Sequence, residues 1–415
     1  MSQLRQAISF ASMLYRQRLG TAVAGYWRRE PMALLRLRPG RDDPYAIYDR
    51  MRRAGTLAPT PLGNWVTTSH RVCNVVLRDR RFGAAPPGPQ ARSGGAGQDL
   101  SFLEMNPPDH TRLRRLVQPA FSPRQIAGYR PRVEHTVEAL LDRVAAGNRF
   151  DVVSALAAPL PIAVITDLLG VPDANAERFA RYGALIGGAI DGVRSMSHAA
   201  RLRAASAELG ALFESLFELR RREPADDLVS ALVAAEGDQV KPGELLSLCT
   251  LLLIAGFETT VNLIGNAVNA LLDHPDQWAA LCAAPEDLAE RAVEETLRFD
   301  PPVQRTGRFA LEPLELEGKP VRPGQIVVTL IGAANRDPEV YPEPDRFDIS
   351  RAPSVDHLAF SSGIHYCVGQ PLAKLEAVIA LRALAERMPR LRRAGAVKRR
   401  NANTIRGPIR LPVRR

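Results

Sequence analysis

The chain has 415 residues, 46% hydrophobic, 24% charged and 6% aromatic, a composition that excludes wholesale disorder, a collagen repeat and a disulfide scaffold. Its formal charge is +10, but residues 1–60 carry +7 and residues 382–415 carry +11, which leaves −8 for everything between them. No nucleic-acid recognition module accompanies this basicity and only four of the 55 cations are lysines, so it reads as solvated, arginine-rich edges rather than a nucleic-acid footprint.

Taken in chain order, residues 1–40 form a basic N-terminal extension suited to an amphipathic helix, with residues 41–415 as the functional domain. The apolar stretch Ala7 to Tyr15 is interrupted by serines and runs into Arg16 and Arg18, which is not a signal-peptide pattern. Thr56–Thr60 and Trp65–Thr68 flank the turn-rich Pro61-Leu62-Gly63-Asn64 and read as a small hairpin. Residues 83–98 lack any apolar period, as expected of a linker or of a loop over a pocket.

From Pro108 to about Arg390 most segments read as helices. His110 and Arg114 stand four apart near the start of one of them and share a face. The longest helix is expected from Pro242 to Leu272, stopped by Asp273-His274-Pro275; about 30 residues at 1.5 Å each would reach roughly 45 Å and run through the middle of the fold. Its most apolar run, Leu245 to Phe257, is shorter than the roughly 20 residues that a bilayer requires. At its centre lies Ala255-Gly256-Phe257-Glu258-Thr259-Thr260, where two small residues sit beside an acid and an alcohol although glycine costs roughly 1 kcal/mol there relative to alanine.

A second helix, Glu286–Phe299, carries Glu295 and Arg298 at i, i+3, and short strands follow around Leu314–Glu317 and Ile326–Leu330. No strand–helix alternation of the kind that builds a parallel sheet is visible, so the fold class is mainly α with small β-sheets. The cysteines Cys73, Cys249, Cys282 and Cys367 form no C-x-x-C pair, which points to a reducing, cytoplasmic setting.

The sharpest signal is Phe360-Ser361-Ser362-Gly363-Ile364-His365-Tyr366-Cys367-Val368-Gly369-Gln370-Pro371-Leu372-Ala373. Most lone cysteines are buried structural thiols. Cys367 instead stands between glycines just before the expected helix Pro371–Arg387, where free N–H groups favour a thiolate and the chain can approach a flat macrocycle.

This segment resembles the haem-binding loop of the cytochrome P-450 family, and the helix centre resembles its A-G-x-[D/E]-T-[T/S] signature. Glu295 and Arg298 match its E-x-x-R pair, and Pro344-Asp345-Arg346-Phe347 matches its P-x-R-F element. The resemblance covers roughly residues 40–410 and implies a single-domain P-450 fold with haem between the long helix and the cysteine loop. It implies Cys367 as axial iron ligand, with Phe360 and Gly369 beside the haem and His110, Arg114, Arg308 and His365 on its propionates. Ala255 and Gly256 would leave room for dioxygen, and Glu258 and Thr259 would organise protons and water. Arg346 would complete a Glu–Arg–Arg network with Glu295 and Arg298.

The implied activity is a monooxygenase that inserts one oxygen atom of dioxygen into a lipophilic small molecule, such as a secondary-metabolite scaffold. Electrons would come from NAD(P)H through a separate ferredoxin or flavodoxin and its reductase. Arg112 and Arg115 are candidates for that carrier's docking patch. A peroxide-driven haem enzyme would carry an Arg–Pro-type pair where Glu258-Thr259 stands, and a haem sensor would not need the pair. Within this resemblance residues 83–98, together with 180–200, 302–305 and 403–406, become pocket-lining loops.

Overall fold

A computed structural model describes the chain except for residues 1, 89–99, 173–175, 188–192, 194, 353–354 and 401. Most of the pocket-roof segment 83–98 and part of 180–200 therefore lie outside the described residues. Helices dominate: α1 (Ser2–Ala22), α2 (His70–Arg78), α3 (Asp109–Val117), α4 (Pro159–Leu169), α5 (Ala176–Ile186), α6 (Glu244–Asp273), α7 (Pro285–Phe299) and α8 (Gln370–Arg387) are the ones that matter below.

The long helix α6 starts at Glu244 rather than Pro242, because Gly243 takes φ +83 and turns the chain into the first helical residue. Its apolar residues lie on every side, as expected of a helix enclosed by others; Leu248, Leu253, Ile264, Ala267 and Val268 are wholly buried. Around it pack α4 through Leu160 and Ile162, α7 through Ala292 and Val293, and α8 through Ala377, Leu381 and Leu384, all in one apolar core. Among the described residues α6 is the one helix long and apolar enough to cross a membrane, beyond what its 13-residue apolar run suggests, but it is mostly buried inside the protein.

The β-structure is small, as expected. Strands β1 (Ala58–Pro59), β2 (Trp65–Thr67), β3 (Phe82–Gly83), β4 (Thr306–Ala310) and β5 (Ile326–Thr329) form one sheet in the order β1-β2-β5-β4-β3. The hairpin read from residues 56–68 is present, with Ala58 opposite Val66. Strand β5 pairs parallel with β2 and antiparallel with β4, placing Arg308 opposite Val327. Side chains alternate across a strand, so Arg308 and Ala310 point inward together. Residues 34–51 are tied to this sheet by a second apolar cluster that joins Leu34, Leu35, Ile47, Tyr48 and Met51 to Val66 and Leu330.

The C-terminal basicity is less solvated than its composition suggests. Beyond α8 the chain forms β6 (Lys398–Arg399) and β7 (Pro408–Arg410), and several arginines there turn inward. Arg393 pairs with Asp273 at 2.7 Å, Arg406 with Asp300 at 2.9 Å, and Arg400 with Glu258. These acids are drawn from the net-negative middle of the chain, so part of the charge asymmetry is neutralised internally.

Candidate haem-thiolate site

Cys367 sits at the end of a loop that turns twice before α8. The first turn needs Gly363, whose φ is +70 and whose place cannot take a Cβ, since one would stand 2.5 Å from the Leu77 carbonyl of α2. Gly369 is different. Its φ of −86 suits any residue and a Cβ there would meet only Phe121, at 3.7 Å. Its contribution is therefore open space and a free N–H rather than a special backbone conformation.

The Cys367 N–H donates to the Phe360 carbonyl at 2.9 Å, which folds the loop back on itself. The Phe360 ring lies beside Tyr366, with centroids 6.4 Å apart. Burial raises the Cys367 thiol, while the N–H groups of Gly369 and Gln370 and the charge of Arg114 pull it back toward thiolate. The sulfur thus receives two backbone donors at a helix N-terminus, the setting in which thiolates are stabilised.

Four donors surround this loop without an acid among them. His110 and Arg114 project from α3, Arg308 from β4 and His365 from the loop itself; the two imidazoles stand 4.2 Å apart. Neither ring nitrogen of His110 and not Nε2 of His365 has a partner. Arg308 is 6% exposed yet donates only to Thr306 Oγ1 and the Gly307 carbonyl. Arg114 donates to the Tyr366 carbonyl at 2.6 Å. Burial, then the neighbouring guanidiniums, lowers His110 to about 4; burial, then Arg308, lowers His365 to about 3. Burial alone brings Arg308 down to about 10. A buried cluster of cations and unpartnered imidazoles with no anion to balance it is costly unless a ligand supplies the negative charge. The two carboxylates of a haem, with the cysteine beneath its iron, fit this donor set.

On α6, Ala255 and Thr259 stand one turn apart. Ala255 is exposed although the helix around it is buried, so it borders an internal space. Thr259, one turn on, donates Oγ1–H to the Ala255 carbonyl at 2.9 Å, and α6 continues as α-helix through it. Gly256 beside it is half-exposed. A Cβ there would stand 2.8 Å from Ile165, so the glycine also admits α4 against α6.

Glu258 is 3% exposed and turns to a different flank. Its carboxylate pairs with Arg400 and lies against Gly183 of α5, where a Cβ would be 2.7 Å from Oε2. Burial raises its pKa, opposed by Arg400 and Asn262. Arg400 was hidden in a basic tail 142 positions from Glu258, with no local spacing to announce it.

The Glu295–Arg298 pair is buried and bidentate, with both bonds at 2.8 Å. Arg298 also donates to the carbonyls of Asn335, Pro344 and Arg346. The third cation is not Arg346, whose side chain is 58% exposed and pairs with Glu343. Arg351 takes that place, with Nε 3.4 Å from Glu295 Oε2. The turn between them presents Arg346 by its carbonyl alone. Arg112 is likewise engaged, at 2.8 Å from both Asp109 and Glu244, and so anchors α3 to the start of α6 instead of offering a free surface charge. Arg115 is exposed.

The chain is similar to known proteins of one family. A family model described as Cytochrome P450 matches residues 287–387. The Biotin biosynthesis cytochrome P450 of Bacillus subtilis is 40% identical over 361 residues, covering 84% of this chain and 90% of that protein. The 6-deoxyerythronolide B hydroxylase of Saccharopolyspora erythraea is 39% identical over 394 residues, covering 90% and 96%. A crystal structure of P450BioI with an acyl carrier protein ligated to hexadec-9Z-enoic acid superposes with a TM-score of 0.83 at 39% identity, covering 90% of this chain and 98% of that one.

Proposed function

The chain belongs to the cytochrome P450 family and is a haem-thiolate monooxygenase, and on that premise we propose that residues 41–415 form its catalytic unit, with Cys367 as the axial ligand. Haem bound there supplies the iron at which dioxygen is activated, so that one of its oxygen atoms enters a C–H or C=C bond of the substrate. The four donors that face one another with no acid to balance them carry this reading: His110, Arg114, Arg308 and His365 hold the haem carboxylates, each by charge-assisted bonds. The N–H groups of Gly369 and Gln370 hold the sulfur in place and temper its charge.

On the other face, Ala255 keeps the space beside the haem open and Thr259 presents a hydroxyl to it. With its proton committed to the Ala255 carbonyl, that oxygen is ready to accept a hydrogen bond from a water or substrate hydroxyl. Glu258 is the proton relay behind it and is held by Arg400 until a proton is needed. The substrate is a lipophilic small molecule of acyl-chain or macrolide type, a class supported by the names of the relatives. Electrons arrive from NAD(P)H through a separate ferredoxin or flavodoxin and its reductase. The thiolate loop offers such a carrier Ile364 and Tyr366, both more than two-fifths exposed, beside the exposed Arg115.

The direct test is the carbon monoxide adduct of the reduced protein. Wild type should show the red-shifted thiolate Soret band and Cys367→His should lose it while retaining haem. An unchanged band would remove Cys367 from the iron.

A further inference from the structure

The polarity of α1 is turned outward. Among the described residues thirteen large apolar side chains are exposed, and six of them fall within residues 13–27: Met13, Tyr15, Leu19, Val23, Tyr26 and Trp27. Scattered singly such side chains need no explanation, but a contiguous patch marks a contact surface. Beyond Ala22 the helix runs on through one wider turn, Val23–Trp27. Tyr15, Leu19, Val23 and Tyr26 follow one another at intervals of four, four and three, which sets them on one side of it. The side toward the protein is marked instead by Leu14 and Gly25, both buried and eleven residues, or three turns, apart.

Gly25 fixes this orientation. A Cβ there would overlap Leu37 and stand 3.4 Å from the Leu34 nitrogen, so the end of the helix lies flush on residues 33–37. Leu34 and Leu35 are joined in turn to Val66 and Leu330, and the apolar stripe cannot roll inward without giving up that contact. The charge of the segment is equally one-sided. Residues 1–29 hold five arginines and no acid, and Arg16, Arg18, Arg28 and Arg29 are all exposed. At 100° per residue, Arg16 and Arg18 border the stripe on its two edges. Glu30, the first acid of the chain, is committed to the N–H groups of Met32 and Ala33 as the cap of the short helix Pro31–Arg36.

We propose that this outer face of α1 docks on an anionic lipid surface, with the helix lying in the plane of the membrane, Leu19, Val23, Tyr26 and Trp27 beneath the headgroups and the arginines on the lipid phosphates. Tyrosine and tryptophan carry an apolar body with one polar edge, which suits the boundary between headgroups and acyl chains. Arginine stems lie along apolar surface while their guanidiniums stay among the phosphates. Five cations without an acid select an anionic partner and oppose the pairing of two such helices face to face. Each arginine near an anionic leaflet strengthens partitioning about fivefold. The contact is peripheral, since α6 alone among the described helices is long and apolar enough to span a bilayer and it is buried in the core. A basic, outward-apolar helix of this kind rests on the interface and brings the enzyme to the phase in which a lipophilic substrate concentrates. The docking face stands on α1 alone and does not depend on the reading of the haem site.

The test mixes the full-length holoenzyme with vesicles of phosphatidylcholine alone or of phosphatidylcholine with phosphatidylglycerol, and reads co-sedimentation together with tryptophan emission. Wild type should sediment with the anionic vesicles only, its emission should shift to the blue, and brominated acyl chains should quench it. Trp27 is 86% exposed whereas Trp65 and Trp278 are not exposed, so Trp27→Phe should keep most of the binding and lose the shift and the quenching. Leu19→Ser with Tyr26→Ser should lower the partition coefficient on the order of tenfold or more. Arg16→Gln with Arg28→Gln should lower it about twenty-five-fold, an effect that raised salt imitates. All these variants should keep the haem content and melting temperature of wild type, because the altered side chains are exposed. No co-sedimentation with anionic vesicles, equal binding to neutral ones, or binding that the Leu19 and Tyr26 changes leave untouched would overturn the proposal. So would a lipid-free dimer in sedimentation velocity that Leu19→Ser with Tyr26→Ser dissolves, since the face would then belong to a second copy of the chain.

Discussion

Two buried charged clusters flank the thiolate loop, and they differ in whether they are complete. The Glu295, Arg298 and Arg351 knot closes on itself: the carboxylate accepts from both arginines and from the Asp348 N–H, and the remaining guanidinium donors reach backbone carbonyls. The His110, Arg114, Arg308 and His365 cluster has donors facing one another and no acid. A closed network of this kind holds the fold, whereas an open one stores electrostatic cost that a dianionic ligand removes on binding. The contrast separates structural charge from site charge without reference to any relative.

The contrast breaks most sharply at Glu295. Removing one member of a closed buried network costs about 3–5 kcal/mol, so Glu295→Ala should yield little soluble protein, read as expression and haem content. Normal yield would show the knot to be dispensable. At the open cluster the effect should move from folding to ligand. Arg308→Gln should speed haem loss to an apoglobin acceptor on the order of ten- to a hundredfold, the equivalent of one charge-assisted bond. The melting temperature of the haem-free protein should not fall, because a repelling charge has gone.

Smaller effects sharpen the knot itself. Arg351→Leu should cost about 1–2 kcal/mol in chemical denaturation, since it strips donors from Pro342, Glu343 and Arg346 carbonyls beside Glu295. The exposed Arg346→Leu should cost about 0.5 kcal/mol or less. Equal losses would restore Arg346 to the network. The smallest effect is in pH. Fold and neighbours depress His110 to about 4 and His365 to about 3, below the ordinary value near 6.5. The unfolded chain therefore binds protons that the haem-free fold refuses, and stability should fall as pH drops from about 6.5 toward 4. Haem carboxylates favour the protonated imidazoles, so the holoprotein should lose less over the same range. Parallel melting curves for the two forms would remove these histidines from the haem site.

Much of this was legible because the chemistry uses local spacing. Cys367 between its glycines, Glu295 with Arg298 three on, and His110 with Arg114 four on each occupy a single loop or helix, where sequence distance sets spatial distance. The failures are all long-range or rotational. Arg346 and Arg351 are equally plausible partners of Glu295 until the turn at residues 343–351 is seen to expose one and bury the other. Arg400 reaches Glu258 only because β6 and β7 fold back along α6. Gly256 sits one residue from Ala255, a rotation of 100° on a helix, and the Ile165 contact that its missing Cβ allows belongs to α4, far away in sequence. The C-terminal arginines looked solvated because composition records charge but not the acids waiting across the fold.

The claim that the open cluster exists to hold haem carboxylates is tested most directly by binding the apoprotein to haem and to haem dimethyl ester, in wild type and in Arg308→Gln. Esterification removes both negative charges and keeps the iron, the macrocycle and the Cys367 bond. The account predicts that the ester binds wild type far more weakly than haem does, and that Arg308→Gln weakens haem but not the ester. Equal affinities of wild type for haem and ester, or the same loss with both ligands in Arg308→Gln, would contradict it.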